Sequence, residues 1–308
     1  YVYHGGPSGL SATPAPALRG PAGAGGAFGF SVASAGDVNG DGFGDVVIGA
    51  SGESSGDGAA YVYHGGASGL SATPEPAFRG VAVAGGRFGF SVASAGDVNG
   101  DGFGDVVIGA YSERSGQGAA YVYHGGPSGL NPTPEPALRG PAGAGGGLGY
   151  SVASAGDVNG DGLGDIVIGA HGENAAYVYH GGSSGLSATP EPALRGAGGE
   201  FGYSVASAGD VNGDGFADVV IGAHGESSTD GAAYVYHGAP SGVSATPESA
   251  LRGPARAFGY FGHSVASTGD VNGDGFGDVV IGAPAQRSSD GAAYVYHGGA
   301  SGLSATPE

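Results

Sequence analysis

A segment of nearly constant sequence recurs five times along this chain of 308 residues, and it constrains the fold more than any other feature. The first copy reads FGFSVASAGD from Phe28, and further copies begin at Phe88, Leu148, Phe201 and Phe261. The aspartates that end these copies are separated by 60, 60, 53 and 60 residues. Because units this similar form similar interfaces with their neighbours, they are predicted to stack around an axis or along a solenoid.

Each unit is predicted to contain four short strands, since no segment shows the 3.6-residue apolar period of a helix. In the first unit, strand A runs from Phe28 to Ser34 and the apolar strand B from Asp45 to Ala50. The aromatic strand C runs from Ala60 to His64, and a short strand D lies around Ala77 to Arg79. This pattern predicts an all-β fold, a β-propeller of four-stranded antiparallel blades with five full A–B units.

The whole chain, residues 1–308, is predicted to form a single repeat domain. Because it opens at Tyr1 in the middle of a repeat, it is expected to be a piece of a longer protein. Two arrangements stay open, a five-bladed ring with one spare strand C or a segment of a longer propeller or array. Residues 1–27 are predicted to supply strands C and D of a split blade, and the repeats occupy 28–87, 88–147, 148–200, 201–260 and 261–308, the last without strand D.

The composition excludes several classes of protein. Gly provides 72 residues, far above the roughly 7% of average proteins, but without the three-residue period of collagen. The apolar fraction of 40% is too high for a disordered chain. A formal net charge of -19 argues against nucleic-acid partners, and no apolar run approaches the ~20 residues of a membrane helix, so membrane insertion is not expected.

A nine-residue loop of the form Asp-x-Asn-x-Asp-Gly-x-x-Asp follows each strand A, first at residues 37–45. Oxygen ligands at positions 1, 3, 5 and 9, with a backbone carbonyl at position 7, would surround one Ca²⁺, and the Gly at position 6 permits the sharp turn. A polar turn without metal is the alternative, and five unchanged copies weigh against it. Mg²⁺ is disfavoured because it rarely takes a cage made only of protein. An EF-hand is also disfavoured, because its bidentate Glu is replaced by Ile48.

About one Ca²⁺ per loop is therefore predicted, five in all. The predicted ligands are Asp37, Asn39, Asp41, Phe43 and Asp45; Asp97, Asn99, Asp101, Phe103 and Asp105; Asp157, Asn159, Asp161, Leu163 and Asp165; Asp210, Asn212, Asp214, Phe216 and Asp218; and Asp270, Asn272, Asp274, Phe276 and Asp278.

Three features together resemble the FG-GAP repeat of integrin α-subunit propellers and their bacterial relatives. They are the Phe28-Gly29 pair, the Asp-rich loop and the Ile48-Gly49-Ala50 ending of strand B. The resemblance covers essentially the whole chain and implies a propeller with Ca²⁺ in the loop between strands A and B. It also implies an extracellular or cell-surface location and a role in adhesion or ligand binding. One departure is that integrin propellers have seven blades, whereas this chain carries five A–B pairs.

Other recurring residues are interpreted structurally. Six His, first at His4 and His64, end the aromatic strands, where a contact to a strand edge or loop is favoured over a transition-metal ring. Recurring Arg such as Arg79 are expected to form salt bridges between blades with nearby Glu such as Glu75. The Pro-rich loops are the best candidates for contact with a partner.

The function predicted from these observations is a calcium-binding extracellular module for adhesion or for binding a protein or glycan. The alternative is a structural subunit that assembles with itself into a filament or surface layer. Catalysis is not expected, because the polar residues occur in symmetric copies and not in one asymmetric constellation. The residues that would contact the ligand stay unknown at this stage.

Overall fold

The computed structural model describes residues 1–21, 26–80, 85–141, 146–253, 259–286 and 290–307. Residues 22–25, 81–84, 142–145 and 254–258, which precede the predicted repeat starts at Phe28, Phe88, Leu148 and Phe261, lie outside the described residues, as do 287–289 and 308. The described part contains one hairpin, β1 (Gly5–Gly6) with β2 (Gly9–Leu10), followed by five three-stranded antiparallel sheets. The sheets are β3 (Ser31–Gly36), β4 (Asp45–Ala50) and β5 (Ala59–Tyr63); β6 (Val92–Gly96), β7 (Asp105–Gly109) and β8 (Ala120–Tyr123); β9 (Ser151–Gly156), β10 (Asp165–Ala170) and β11 (Ala175–Tyr179); β12 (Ser204–Gly209), β13 (Asp218–Ala223) and β14 (Ala232–Tyr236); and β15 (Ser264–Gly269), β16 (Asp278–Ala283) and β17 (Ala292–Tyr296).

The central strand of each sheet agrees best with the sequence prediction. Strand B was predicted at Asp45 to Ala50, and β4 has these bounds. Strand A was predicted from Phe28, but β3 begins at Ser31 because a turn precedes it, in which Ala27 has a φ of 57°. A β-bulge then shifts the register between Ser34 and Gly36, and this directs the chain into the Asp-rich loop.

Strand D is reduced to a single antiparallel bridge in each of the first four units. In the first unit, the amide of Ala60 donates to the carbonyl of Phe78 at 3.0 Å, and the amide of Phe78 donates back at 2.9 Å. The equivalent bridges join Ala120 to Leu138 and Ala176 to Leu194. The predicted fourth strand therefore lies at the predicted place, but it is too short to extend the ladder.

Short helical turns follow strand B, and the sequence did not indicate them. They are α1 (Glu53–Gly56), α2 (Glu113–Gly116), the 3₁₀ turn η1 (His171–Glu173) and α3 (Glu226–Thr229). In α1 the two central serines have positive φ values of 52° and 62°, so this segment is a tight turn with no apolar face. Each turn begins or ends with a Glu whose side chain points back into its own unit.

The sheets pack face to face in chain order, and their A strands β3, β6, β9, β12 and β15 are successive neighbours. Each core lies between two sheets. Val38, Val47 and Val62 of the first unit pack with Tyr121 and Tyr123 of the second unit. This arrangement of antiparallel sheets is consistent with the blades of a β-propeller.

Close approach between units requires Gly in the middle of strand B. A Cβ atom on Gly49 would lie 2.0 Å from the carbonyl oxygen of Gly89 in the next unit. The amide of Gly89 in turn donates to the carbonyl of Gly109 at 3.0 Å. A larger side chain here would push the neighbouring units apart.

The two ends of the array expose faces that are buried inside it. Val32 of β3 is 64% exposed, whereas its counterpart Val92 is 7% exposed. Val271, in the loop after β15, is 55% exposed, whereas its counterpart Val211 is fully buried. Residues 1–4, predicted as strand C of a split blade, are not in a regular strand in the structure.

Candidate functional site

The Asp-rich loops join strands A and B, as predicted, and each loop wraps around its first aspartate. The Asp37 carboxylate accepts hydrogen bonds from the amides of Gly40 at 2.7 Å, Asp41 at 3.1 Å and Gly42 at 2.8 Å. The Asn39 side-chain oxygen accepts a further bond from the amide of Asp41 at 3.0 Å. The same bonds recur in the other four loops, for example around Asp97 and Asp270. The loop therefore has a defined shape that depends on its polar side chains.

The ninth loop residue is buried and links the loop to strand C. The Asp45 carboxylate accepts hydrogen bonds from the amides of Val38 at 2.9 Å and Gly65 at 2.7 Å. Asp45 is 1% exposed, and the equivalent aspartates of the other four loops are fully buried. Both Asp45 oxygens thus accept hydrogen bonds within the protein, and Oδ2 also lies 3.4 Å from His64 Nδ1.

The donor set of the loops suits a hard cation, since every predicted ligand atom is an oxygen. Within the described residues, however, no group of three or more His, Cys, Asp or Glu side chains is placed to hold a metal ion. The reason is visible in the first loop, where Asp37 and Asp41 bond to backbone amides of the loop while Asp45 points towards strand C. The calcium assignment thus fits by chemistry, and it stays a prediction.

Neighbouring loops also contact one another. The amide of Gly104, in the second loop, donates to the Asp37 carbonyl at 2.8 Å. A Cβ on Gly40 would lie 2.6 Å from the Phe103 ring. The loops therefore form part of the interface between units as well as the candidate metal sites.

The His that ends strand C joins the Asp-rich loop to the Pro-rich loop. In the second unit, His124 Nδ1 lies 3.3 Å from the Asp105 carboxylate, and Nε2 lies 2.8 Å from Glu135. The Asp105 and Glu135 carboxylates that face the two ring nitrogens raise the pKa of His124 to about 10. Glu135 also accepts a hydrogen bond at 3.0 Å from the amide of Leu186 in the third unit. The interpretation of these His as contacts to loops is confirmed, and the contact reaches the next unit.

The expected partner of the recurring Arg was wrong. Arg79 pairs with Glu53 of its own unit, and not with Glu75, which contacts His64 at 2.7 Å. Glu53 also accepts a hydrogen bond from the Tyr61 hydroxyl at 2.5 Å. Burial and the Glu53 carboxylate raise the pKa of Tyr61 to about 12, so this phenol remains a donor near neutral pH. The salt bridge therefore ties strands within a blade, because the turn that carries Glu53 folds back over strand C.

The Pro-rich loops are only partly free for a partner. Leu130 in one of them is 5% exposed, and its amide donates to Glu75 of the preceding unit at 3.3 Å. The following residues 131–133 are exposed. The first half of such a loop thus contributes to packing between units, and the second half forms surface.

A continuous row of aromatic and imidazole rings crosses the units on the face opposite the Asp-rich loops, and sequence reasoning missed it. We call it the aromatic ridge. Ring centroids are 4.7 Å apart between Phe30 and Phe90, 4.8 Å between Phe90 and Tyr150, and 5.0 Å between Tyr150 and Tyr203. Rings from the turns after strand B fill the spaces between them. The ridge consists of Phe30, Phe90, Tyr111, Tyr150, His171, Tyr203, His224, Tyr260 and His263.

A signal for this ridge was present in the sequence. The residue after the Phe-Gly or Leu-Gly pair is Phe, Phe, Tyr, Tyr and His in successive units, and the residue after strand B is Ser, Tyr, His, His and Pro. These positions vary in type while their neighbours stay the same. Comparing the copies for their differences would have identified the ridge as an asymmetric constellation.

Within the described residues, no helix is both long and apolar enough to cross a membrane.

Comparison with known proteins agrees with this architecture. Models of the FG-GAP repeat match residues 28–63, 88–123 and 261–296, and a model of the FG-GAP-like repeat matches residues 157–221. Similar proteins include integrin alpha-4 of Xenopus laevis, which is 37% identical over 149 residues, 44% of this chain and 14% of the relative. Human integrin alpha-6 is 36% identical over 162 residues, 51% of this chain and 14% of the relative. Mouse integrin alpha-IIb is 38% identical over 163 residues, 49% of this chain and 16% of the relative.

The matched part thus spans only about one sixth of these relatives or less. The family models, in contrast, match more than half of the 308 residues of the chain. The matches begin at Phe28, Phe88 and Phe261, where the repeated segment begins. The chain belongs to the FG-GAP repeat family.

Proposed function

We propose that this chain is the ligand-binding propeller part of an extracellular adhesion protein, that it has no enzymatic activity, and that the aromatic ridge contacts the ligand. The ridge carries this proposal because it forms an asymmetric constellation in a chain of repeated units. Its rings come from all five units and include the exposed Phe30, at 55%, and Tyr260, at 37%. Aromatic side chains supply large contact area at low cost in conformational entropy, which suits a protein or glycan ligand.

Similarity to integrin alpha chains supports the adhesion role and the extracellular or cell-surface location. The acidic charge of -19 supports a ligand that is not nucleic acid.

Binding by the ridge can be tested on protein and glycan arrays in millimolar Ca²⁺. Substitution of both Tyr150 and Tyr203 by Ala removes the centre of the ridge, and we expect bound ligand to fall at least about tenfold, as for a central hot spot. Thr133→Ala on an exposed Pro-rich loop is the matched control and should keep binding. Circular dichroism checks that both variants are folded. Equal binding by the ridge variant and the wild type would remove the ridge from the function.

We also propose that each Asp-rich loop binds one Ca²⁺, with the predicted oxygen ligands around it. Three Asp in each loop repel one another, and a divalent cation would relieve that repulsion. Titration calorimetry should give about five sites per chain, and EDTA should lower the melting temperature strongly. A melting curve that EDTA leaves unchanged would contradict calcium binding and leave the ridge proposal standing.

Self-assembly is the second candidate, and the exposed end faces favour it. The exposed face around Val271 has the same composition as the faces by which other units pack on the unit that follows them. The exposed face around Val32 has the same composition as the faces by which other units pack on the unit that precedes them. Two chains could therefore stack head to tail through an interface of the interior type. Light scattering over a wide concentration range tests this, and a strict monomer throughout would exclude it.

A further inference from the structure

The aromatic ridge changes in chemistry along the chain. In the first two units its rings are Phe30, Phe90 and Tyr111, and none of these is an imidazole. In the last three units, His171 and His224 occupy the position of Tyr111, and His263 occupies the position of Phe90. The imidazoles of the ridge thus lie only in the third, fourth and fifth units.

The packing of these imidazoles joins the third, fourth and fifth units. His171 lies against Tyr150 of its own unit, with centroids 4.2 Å apart, and 6.1 Å from Tyr203 of the next unit. His224 lies 4.0 Å from Tyr203 and 5.4 Å from His263 of the fifth unit. The Tyr203 hydroxyl lies 3.4 Å from His263 Nε2. Three successive units therefore meet through rings that can acquire a charge.

The surroundings of these rings favour the neutral imidazole. Nδ1 of His171 and Nδ1 of His224 are both buried and have no hydrogen-bond partner, and the His224 side chain is only 11% exposed. Burial lowers the pKa of His171 and of His224, an effect that Glu200 partly opposes. For His224, the neighbouring His263 and His171 lower the pKa further.

Among the residues that the structure describes, few groups are available to balance a charge at this place. The titratable side chains that face His171 and His224 are Tyr150, Tyr203, Tyr260, His263 and Glu200. Only Glu200 is a carboxylate, and its Oε2 lies 3.1 Å from His224 Nε2. Glu200 is itself 52% exposed at the side chain, so solvent screens this pair. Imidazolium charges on His171 and His224 would therefore share one screened carboxylate.

We propose that the His-bearing half of the ridge is an acid-sensitive junction that loosens the packing of the third, fourth and fifth units when the pH falls. Above the pKa of about 6.5 of free His, both folded and unfolded chains hold these rings neutral, and the junction is stable. Below it the unfolded or opened chain binds protons that the packed junction resists, so acid favours opening. The first two units have no imidazole in the ridge and keep their packing. An extracellular binding module with this property would release its ligand selectively in acidic surroundings.

Hydrogen exchange with mass spectrometry tests the proposal on the full chain, after correction for the intrinsic pH dependence of exchange. Between about pH 7.5 and pH 5, we expect the protection of β9–β16 to fall about tenfold or more relative to that of β3–β8. The strand-C His and the Asp-rich loops occur in both halves, so an effect of these residues enters both sides of this comparison. An equal loss of protection in the two halves would overturn the proposal.

The repeat supplies a matched variant for the same experiment. H171Y, H224Y and H263Y each introduce a residue that another unit carries at that position, as at Tyr111 and Tyr150. The triple variant should show the same protection in both halves at both pH values. A triple variant that keeps the acid response of the wild type would assign that response to other groups and overturn the proposal.

Titration of the imidazole proton signals of the unaltered chain by NMR provides a second measurement. The single variants H171Y and H224Y assign the two signals. Both signals should titrate below the free value of about 6.5. Midpoints at or above that value would overturn the proposal, even if the ridge binds the ligand.

Discussion

The buried carboxylate of the second unit gives the sharpest prediction about stability. Glu113 is 2% exposed, and its two oxygens have different partners. The Tyr121 hydroxyl donates to Oε2 at 2.5 Å, and Arg139 Nη2 donates to Oε1 at 2.5 Å. Glu113→Ala removes the acceptor that both groups share, next to a Tyr121 side chain that is fully buried.

The expected magnitude follows from these two contacts. A hydrogen bond to a charged acceptor contributes about 1.5–3 kcal/mol, and the loss of the Tyr121 bond falls in that range. The Arg139 side chain is 26% exposed, so water solvates it after the substitution and the loss of the ion pair adds only about 1 kcal/mol. We therefore expect Glu113→Ala to lower the free energy of unfolding by about 2.5–4 kcal/mol. Glu113→Gln should cost about half as much, because an amide oxygen still accepts from Tyr121.

The third unit supplies the control. Glu173 accepts a hydrogen bond from Tyr177 at 2.9 Å, but Arg195 donates to the backbone carbonyl of Glu173 at 2.8 Å and not to its carboxylate. Glu173→Ala should therefore lose only the phenol contact, at a half-buried position, and cost about 1.5 kcal/mol. The difference between Glu113→Ala and Glu173→Ala is expected to be about 2 kcal/mol.

Urea unfolding followed by circular dichroism measures these differences. Since repeat arrays depart from two-state behaviour, hydrogen exchange of β8 and β11 should accompany the denaturation curves. The reasoning fails if Glu113→Ala costs no more than Glu173→Ala, or if the loss of protection is not centred on the altered unit.

Three further predictions use positions that recur. Val98→Ala should destabilise the chain by about 2 kcal/mol in urea unfolding, because Val98 is fully buried. Val271→Ala should cost less than about 0.5 kcal/mol, because the counterpart Val271 is 55% exposed. Equal losses of stability would show that the end face is covered in solution. Gly109→Ala should destabilise the chain strongly, since the new Cβ would lie 2.0 Å from the Gly149 carbonyl oxygen. Gly44→Ala should be tolerated, because a Cβ there would have no neighbour within 4 Å. Thermal melting compares the two variants, and similar melting temperatures would refute the close approach. Glu135→Ala should lower the free energy of unfolding by about 1–2 kcal/mol, because Glu135 bonds both His124 and the next unit. It should also expose the junction of the second and third units to hydrogen exchange. Unchanged exchange at this junction would contradict the link.

The regular parts of the fold follow from local patterns and were predictable. The apolar run within Asp45–Ala50 has no polar face to turn towards solvent, so it must be buried on both sides. The predicted bounds of this strand therefore agree with the observed ones. Strand A was placed three residues early, because the left-handed conformation of Ala27 that forms its preceding turn has no sequence signal. The turn that carries Glu53 was missed for a related reason. Its serines have positive φ values that non-Gly residues seldom adopt, and contacts elsewhere in the unit must hold them there.

Contacts of the recurring polar residues were harder to predict than their presence. Proximity in sequence suggested Glu75 as the partner of Arg79, only four residues away. The structure pairs Arg79 with Glu53, 26 residues earlier, because α1 folds over strand C and strand D returns beside it. Such a pairing depends on the path of the chain and cannot be read from spacing alone.

Positions that stay constant among the copies differ in role from positions that vary: the former maintain the fold, and the latter include the proposed binding surface. Positions that face another unit, such as Gly49 and Val98, have little freedom, since each must fit a neighbour that is itself a copy. Ridge positions lie along one surface, where a ring of any kind preserves the contact with the next ring, so Phe90, Tyr150 and His263 can replace one another. Variation there changes the polarity and charge of the surface at little cost to the fold. A repeated scaffold can thus carry an asymmetric face, and the differences among its copies indicate where the proposed ligand-binding face lies.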